Sequence, residues 1–276
     1  SNSIFGDDFF KFWAAKKIET GSKLIIGQHG GNFGMSKFSF HECYQIEIAD
    51  KWLSWGWESK GNPNIVPVGN IKTGASRIPF SSKREGLLVG MELPRYSYHL
   101  YSASISATQW ISYFQDQVKF LSELPIHIRK FFLVRPHKGT DYGNCFKQRI
   151  REHFKDVTFD TESKMETSAK KSRMLVSTYN ATTYLESLLW NIPTICFWNP
   201  LHWELNDHAK PYFSLLKDAG IYHETPEAAA SQVCEIWDDV ASWWESEVVK
   251  SARNEFCDQY SKQIKNMDET ANHFLS

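Results

Sequence analysis

Between residues 85 and 198, short apolar runs and amphipathic stretches take turns without a break. EGLLVGMEL (85–93), KFFLVRPH (130–137), VTF (157–159), MLVS (174–177) and PTICFW (193–198) read as strands. Ala107 to Leu124, Asn144 to Phe154, 164–172 and Thr182 to Trp190 read as the helices between them. Parallel neighbours cannot be joined by a tight turn, so each strand needs a crossover, and helical crossovers cover both sheet faces. The pattern therefore predicts an α/β fold with a Rossmann-type parallel sheet and right-handed connections.

The flanks read differently. DDFFKFWAAKKIETGSK (7–23) sets Phe9, Phe10, Trp13 and Ile18 at near-helical spacing and stops at Gly21, a suitable C-cap. KLII (23–26) is a short strand. YQIEIADKWLSWGW (44–57) alternates like another, with Tyr44, Ile46 and Ile48 on one side, and NIVPVGN (64–70) is a third extended piece. Lys72 to Arg84 turns to Ser, Gly, Pro, Lys and Arg and reads as a linker. Beyond Pro226 two helical segments follow, Ala228 to Val240 and Trp243 to Ile264. The expected organisation is a partial amino-terminal α/β segment (1–80), a nucleotide-donor domain (81–240) and carboxyl-terminal helices (241–276). The first segment holds too few elements for a complete doubly wound domain and reads as the trailing part of a larger one.

Charge excludes one broad class. With 32 acidic and 31 basic residues there is no global field to attract nucleic acid, so any anion site must be local. Five scattered cysteines without a C-x-x-C pair fit neither a disulfide framework nor a structural zinc site, and they point to a reducing, cytoplasmic setting. No apolar run reaches the roughly 20 residues of a membrane span, and Asp7 and Asp8 interrupt the early apolar stretch that a signal peptide needs.

Three stretches carry candidate chemistry. In GQHGGNFG (27–34) a strand runs into a glycine-rich loop bearing His29, which serves either a tight turn or a ligand at the carboxyl end of the strand. In STYNATTYLE (177–186) a strand ends at Ser177 and a helix starts near Thr182. Its free amides, with hydroxyls from Ser177, Thr178, Thr182 and Thr183, suit a phosphate, but Thr183 and Glu186 also have capping-box spacing. In LVRPHKG (133–139) Pro136 holds Arg135, His137 and Lys138 at a strand end, where they contact an anion or, for Arg135, a buried carboxylate. His202, Glu204, Asp207 and His208 have metal-ligand composition without H-E-x-x-H spacing, so no metal is expected. Neither a G-x-S-x-G elbow nor a Walker loop occurs.

GQHGGNFG, IADKWLSWGW, STYNATTYLESLLWNIPTICFWNP and AKPYFSLLKDAGIYHETPEAAASQVCEIWDDVASWW resemble a family of bacterial transferases from surface-polysaccharide (O-antigen-like) loci. The likeness runs from about residue 9 to residue 250. More distantly the chain is similar to GT-B glycosyltransferases, capsule-polysaccharide transferases and CDP-glycerol glycerophosphotransferases. The resemblance implies two Rossmann-like domains around a cleft and transfer of a sugar or polyol-phosphate group from a nucleotide-activated donor to a saccharide or lipid-linked acceptor. It implies no cofactor beyond that donor, and peripheral association with the inner membrane.

By the same resemblance Arg135, His137, Lys138, Ser177, Thr178, Thr182 and Thr183 lie at the donor phosphates, although relatives read His-Pro where this chain has Pro136-His137. Glu186 stands where related proteins reach the ribose hydroxyls. His29 is the expected catalytic base, in an acceptor-side loop with Gln28, Gly30, Gly31 and Asn32. Two other classes remain open. A sugar-nucleotide epimerase would use carboxylates such as Glu42 and Asp50, and a non-catalytic binding module would expose Trp243 and Trp244 as an apolar patch.

Overall fold

The computed structural model describes residues 3–73, 85–93, 105–137, 145–264, 268 and 271. Most of the expected linker and Lys138 therefore lie outside the described residues. Helices α1 (Ser3–Gly6) and α2 (Asp8–Glu19) lead into β1 (Ile25–Gly27), followed by α3 (Phe40–Ile48), β2 (Lys51–Ser54) and β3 (Ile65–Pro67). The second series is β4 (Glu85–Val89), α4 (Ala107–Glu123), α5 (Ile126–Arg129), β5 (Phe132–Arg135), α6 (Phe146–His153), β6 (Thr158–Phe159), α7 (Met165–Lys171), β7 (Ser172–Ser177) and α8 (Thr182–Leu189). It continues through β8 (Thr194–Phe197), α9 (Lys210–Asp218), β9 (Tyr222–His223) and α10 (Pro226–Ile236). A 3₁₀ turn (Trp237–Asp239), α11 (Val240–Trp244) and α12 (Glu247–Tyr260) close the described chain.

All strands run parallel within two sheets, ordered β1-β2-β3 and β6-β5-β4-β7-β8-β9. Counted from β4, the larger sheet has the Rossmann order 3-2-1-4-5-6. The chain winds outward from β4, then crosses back to β7, and the crevice between these two strands is where such sheets bind ligands. Val89 faces Arg135 of β5 on one side and Ser177 of β7 on the other. The fold class is thus the expected mixed α/β architecture with parallel sheets.

One hydrophobic cluster joins the two sheets, running from Ile26, Trp52 and Trp55 to Tyr184, Trp198 and Phe256. Trp52, Trp55, Trp198, Trp203 and Trp244 are all fully buried, so these five rings are core material. The end of α12 ties the sheets further: the Lys262 N–H donates to Trp55 O (2.7 Å) and the Asn70 N–H to Lys262 O (2.8 Å). Among the described residues no helix is long and apolar enough to cross a membrane.

Three elements differ from expectation. Residues 44–48 are the end of α3, not a strand. Alternating Tyr44, Ile46 and Ile48 also fit a helix in which Phe40, Tyr44 and Ile48 share a face, and over so short a run periodicity does not separate the two. The expected helix Ala228 to Val240 ends at Ile236, and Asp239 starts the next by accepting from the Ser242 N–H (3.1 Å). Likewise Ser246 caps α12 at Val249, so the second expected helix is divided too.

Candidate active site

The loop after β1 is held open by its own side chains. Gln28 is buried, and its Oε1 accepts from the Trp55 N–H (3.0 Å) and from Trp57 Nε1 (3.1 Å), while Trp55 Nε1 donates to Gln28 O (2.9 Å). Gln28 therefore clips the end of β1 to the turn after β2. Asn32 is also buried, and its carbonyl accepts from the Met35 and Ser36 N–H groups (3.2 and 3.1 Å). Both residues shape the loop rather than line an open surface.

That loop lies against the start of α8. The Gly31 N–H donates to Thr182 Oγ1 at 2.7 Å. Gly30 has φ +138°, and a Cβ there would stand 2.3 Å from Thr182 Oγ1, so both the backbone angle and the close approach demand glycine. Further along, Asn206 donates through its N–H to Met35 O (2.9 Å) and through Nδ2 to Gly34 O (2.9 Å), and Tyr184 Oη reaches Met35 Sδ (3.3 Å). The His29 loop is thus docked on the larger sheet's side of the molecule.

The start of α8 has no side-chain cap. Its N-cap is Ala181, and the expected capping box is not formed. Thr183 Oγ1 bonds instead with Tyr179 Oη (2.9 Å), and the Glu186 carboxylate pairs with Lys72 Nζ (2.7 Å). First-turn amides without a capping side chain, at the positive end of a helix dipole, are groups that can accept an anion. This helix follows β7, so its start opens at the crevice where the strand order reverses.

Other sequence candidates are committed internally. Ser177 Oγ donates to Tyr179 O (3.2 Å), and Thr178 Oγ1 donates to Val89 O (2.9 Å) and bonds Tyr113 Oη (2.6 Å). Tyr113 Oη also accepts from the Met91 N–H (2.8 Å), so it joins the segments that follow β4 and β7. Arg135 is buried and pairs with buried Asp160, with further bonds to Ser168 Oγ (2.9 Å) and Glu162 O (3.0 Å). Burial alone would raise the Asp160 carboxyl, but Ser168, the Glu162 amide and the guanidinium together hold it below its usual range. The carboxyl ends of β5 and β7 share one edge of the sheet with β4 between them. His137 is exposed just beyond β5.

Electrostatics separate two groups near the loop. Burial, with the charges of His41 and Lys72 adding to it, lowers His29 from 6.5 to about 4, so its imidazole is neutral at physiological pH. Its Nδ1 is buried without a partner among the described residues, and its ring meets Phe33 edge-on at 5.6 Å. Glu42 moves the other way: burial lifts its carboxyl from 4.5 to about 7, against a 2.7 Å bond from the Gly34 N–H. A folded pKa above the unfolded one means that this group favours folding most below pH 4.5, and the advantage fades as pH rises through 7. Glu42→Gln is therefore expected to stabilise the protein by about 2 kcal/mol at pH 8 and to change little at pH 4.5. Melting temperatures at both pH values check this, and an equal difference at each would contradict it.

The model of the LIC12162 family transferases matches residues 1–275. The chain belongs to this transferase family. None of the curated proteins matches it. Among solved structures the family member is similar to a variant of S. aureus TarM in complex with fondaparinux, alpha-GlcNAc-glycerol and UDP. Identity is 11%, the match covers 91% of this chain and 50% of that one, and the TM-score is 0.49. A GtfA/B complex is similar at 11% identity and a TM-score of 0.37, over 91% of this chain and 56% of that one. The transferase chain thus spans about half the length of these structures.

Within this family member, the remaining candidates fall outside the crevice. Asp50 accepts from the Leu24 N–H (2.6 Å) at the amino ends of β1 and β2, the opposite edge from His29, so Glu42 and Asp50 are no acid–base pair. Trp244 is buried and Trp243 half-buried with Nε1 on Ala219 O (3.1 Å), so the two do not form an exposed patch. Glu204 and Asp207 pair with Lys37 and Lys210, and no cluster of three or more His, Cys, Asp or Glu suited to a metal occurs among the described residues. Lys72 and Glu186 meet where sequence reading placed a linker and, for Glu186, a cap or a ribose contact. Their partnership leaves no local pattern in the chain.

Proposed function

We propose that this family member transfers a sugar or polyol-phosphate group from a nucleotide-activated donor to a hydroxyl of a saccharide acceptor, free or lipid-linked, in the GT-B manner during surface-carbohydrate assembly. The observation that carries the reading is the uncapped start of α8 meeting the His29 loop at the crevice of a Rossmann-ordered sheet. The donor phosphates lie against the α8 amides and Thr182, and the acceptor hydroxyl lies on the His29 side. The acceptor oxygen bonds to the transferred carbon or phosphorus. The bond to the leaving phosphate breaks with its electron pair staying on the phosphate oxygen, and the hydroxyl proton passes to His29.

Because His29 is neutral, it is ready to accept that proton, and it takes it as the hydroxyl loses it in the transition state. Helix amides already fixed at the start of α8 stabilise the leaving charge. The reading includes no resident cofactor, a cytoplasmic setting and peripheral contact with the membrane bearing a lipid-linked acceptor.

Thermal denaturation with CMP, CDP, UDP, GDP and their sugars tests the donor assignment. A cognate nucleotide at 100 times its dissociation constant is expected to add about 2.7 kcal/mol to stability. Absence of any shift across the panel would contradict a donor site.

A further inference from the structure

Lys72 is placed more firmly than a linker residue needs to be. Asn70 Oδ1 accepts from the N–H groups of Lys72 and Thr73, both at 3.1 Å. Asn70 Nδ2 donates to Ser261 Oγ (3.2 Å), and Ser261 Oγ donates to Leu185 O (3.1 Å), the residue before Glu186 on α8. Asn70 and Ser261 are both buried, so this relay fixes the Lys72 backbone relative to that helix without water as an intermediary.

From this anchor Nζ reaches Glu186 Oε1 at 2.7 Å, with the lysine side chain 54% exposed and the glutamate 8%. Thr182 lies four residues before Glu186, one turn along the same face and about 5–6 Å away. A lysine stem that swings through that distance brings its ammonium to the first-turn amides. Arg135, the cation that a strand-end motif offers, is held by Asp160. Lys72 is also close enough to His29 for its charge to be felt there.

We propose that Lys72 is a two-position cation, paired with Glu186 in the unliganded protein and with the ligand's phosphates when a nucleoside diphosphate occupies the start of α8. This rests on the donor reading above. A diphosphate carries more negative charge than one carboxylate and draws the ammonium one turn along the helix. Its departure frees the Glu186 carboxylate to accept from hydroxyl groups of the same ligand, so occupancy at one end of the ligand opens the contact at the other. During transfer the same ammonium stands beside the leaving phosphate oxygen as its electron pair arrives.

Isothermal titration with UDP, CDP and GDP, on the wild type, Lys72→Met and Lys72→Arg, tests this. For whichever diphosphate binds the wild type, Lys72→Met is expected to weaken affinity roughly tenfold and to flatten its dependence on salt, and Lys72→Arg to restore most of both. Lys72→Met strands the Glu186 charge, so the double variant Lys72→Met/Glu186→Gln is measured beside it and is expected to show at least the same loss, since it also alters the carboxylate that meets the ligand's hydroxyl groups. Unchanged diphosphate affinity in both variants would overturn the role of Lys72 and leave the donor site standing. If no diphosphate binds the wild type, the donor reading itself fails, and this one with it.

Discussion

Replacing His29 with alanine is expected to lower turnover at least about a hundredfold while nucleotide affinity stays within about twofold of the wild type. The imidazole faces the acceptor side of the crevice in the proposed reaction, so its loss removes a proton acceptor and not a phosphate contact. Burial has lowered its pKa to about 4, below the unfolded value of 6.5, so the side chain charges only as pH falls through the folded value. The acid limb of the pH–rate profile is accordingly expected near 4 and not near 6.5. Steady-state transfer assays over pH 3–8 check both statements. Wild-type turnover in His29→Ala would remove the residue from catalysis, and an acid limb at 6.5 would contradict its buried setting.

Arg135→Met is expected to cost about 3–5 kcal/mol of folding stability, because it leaves the buried Asp160 carboxylate without its cation. Both side chains are nearly inaccessible, at 7% and 3%, and the guanidinium also holds Ser168 and the carbonyl of Glu162. Arg135 therefore joins β5 to the segment before α7. The double variant Arg135→Met/Asp160→Asn, which removes both charges, is expected to recover part of the loss. Urea denaturation measures each. Near-native stability of Arg135→Met together with a large drop in nucleotide affinity would instead make Arg135 a phosphate ligand.

The contrast between Arg135 and Lys72 shows where sequence reading stops. A cation after a β-branched run is visible in LVRPHKG, but the carboxylate that folds over it is 25 residues away and belongs to a different strand end. Lys72 sits in a stretch whose composition says linker, and its partner Glu186 sits in a pattern that says cap. Ser261, just past the end of α12, joins their neighbours Asn70 and Leu185 and so brings the two together. The alternation between residues 85 and 198 was legible because each buried strand is a continuous apolar run bounded by polar turns, but the strand order was not: β4 lies between the strand ends of Arg135 and Ser177. Segment 40–48 was not, since its spacing suits helix and strand alike. Gly30 was the most informative residue of the site. A glycine beside a histidine suggested a ligand loop, and its position against Thr182 explains why a side chain is excluded there.

In the proposed reaction the charge of a donor nucleotide sits at the start of α8 beneath the His29 loop. A crystal structure of the chain with the nucleoside diphosphate that raises its melting temperature most tests this directly. Phosphate oxygens are expected within hydrogen-bond distance of the Thr182 and Thr183 amides, with Lys72 drawn away from Glu186. A nucleotide seated instead in the cavity of about 680 Å³ lined by Trp203, Lys210 and Tyr222, with α8 unoccupied, would contradict it.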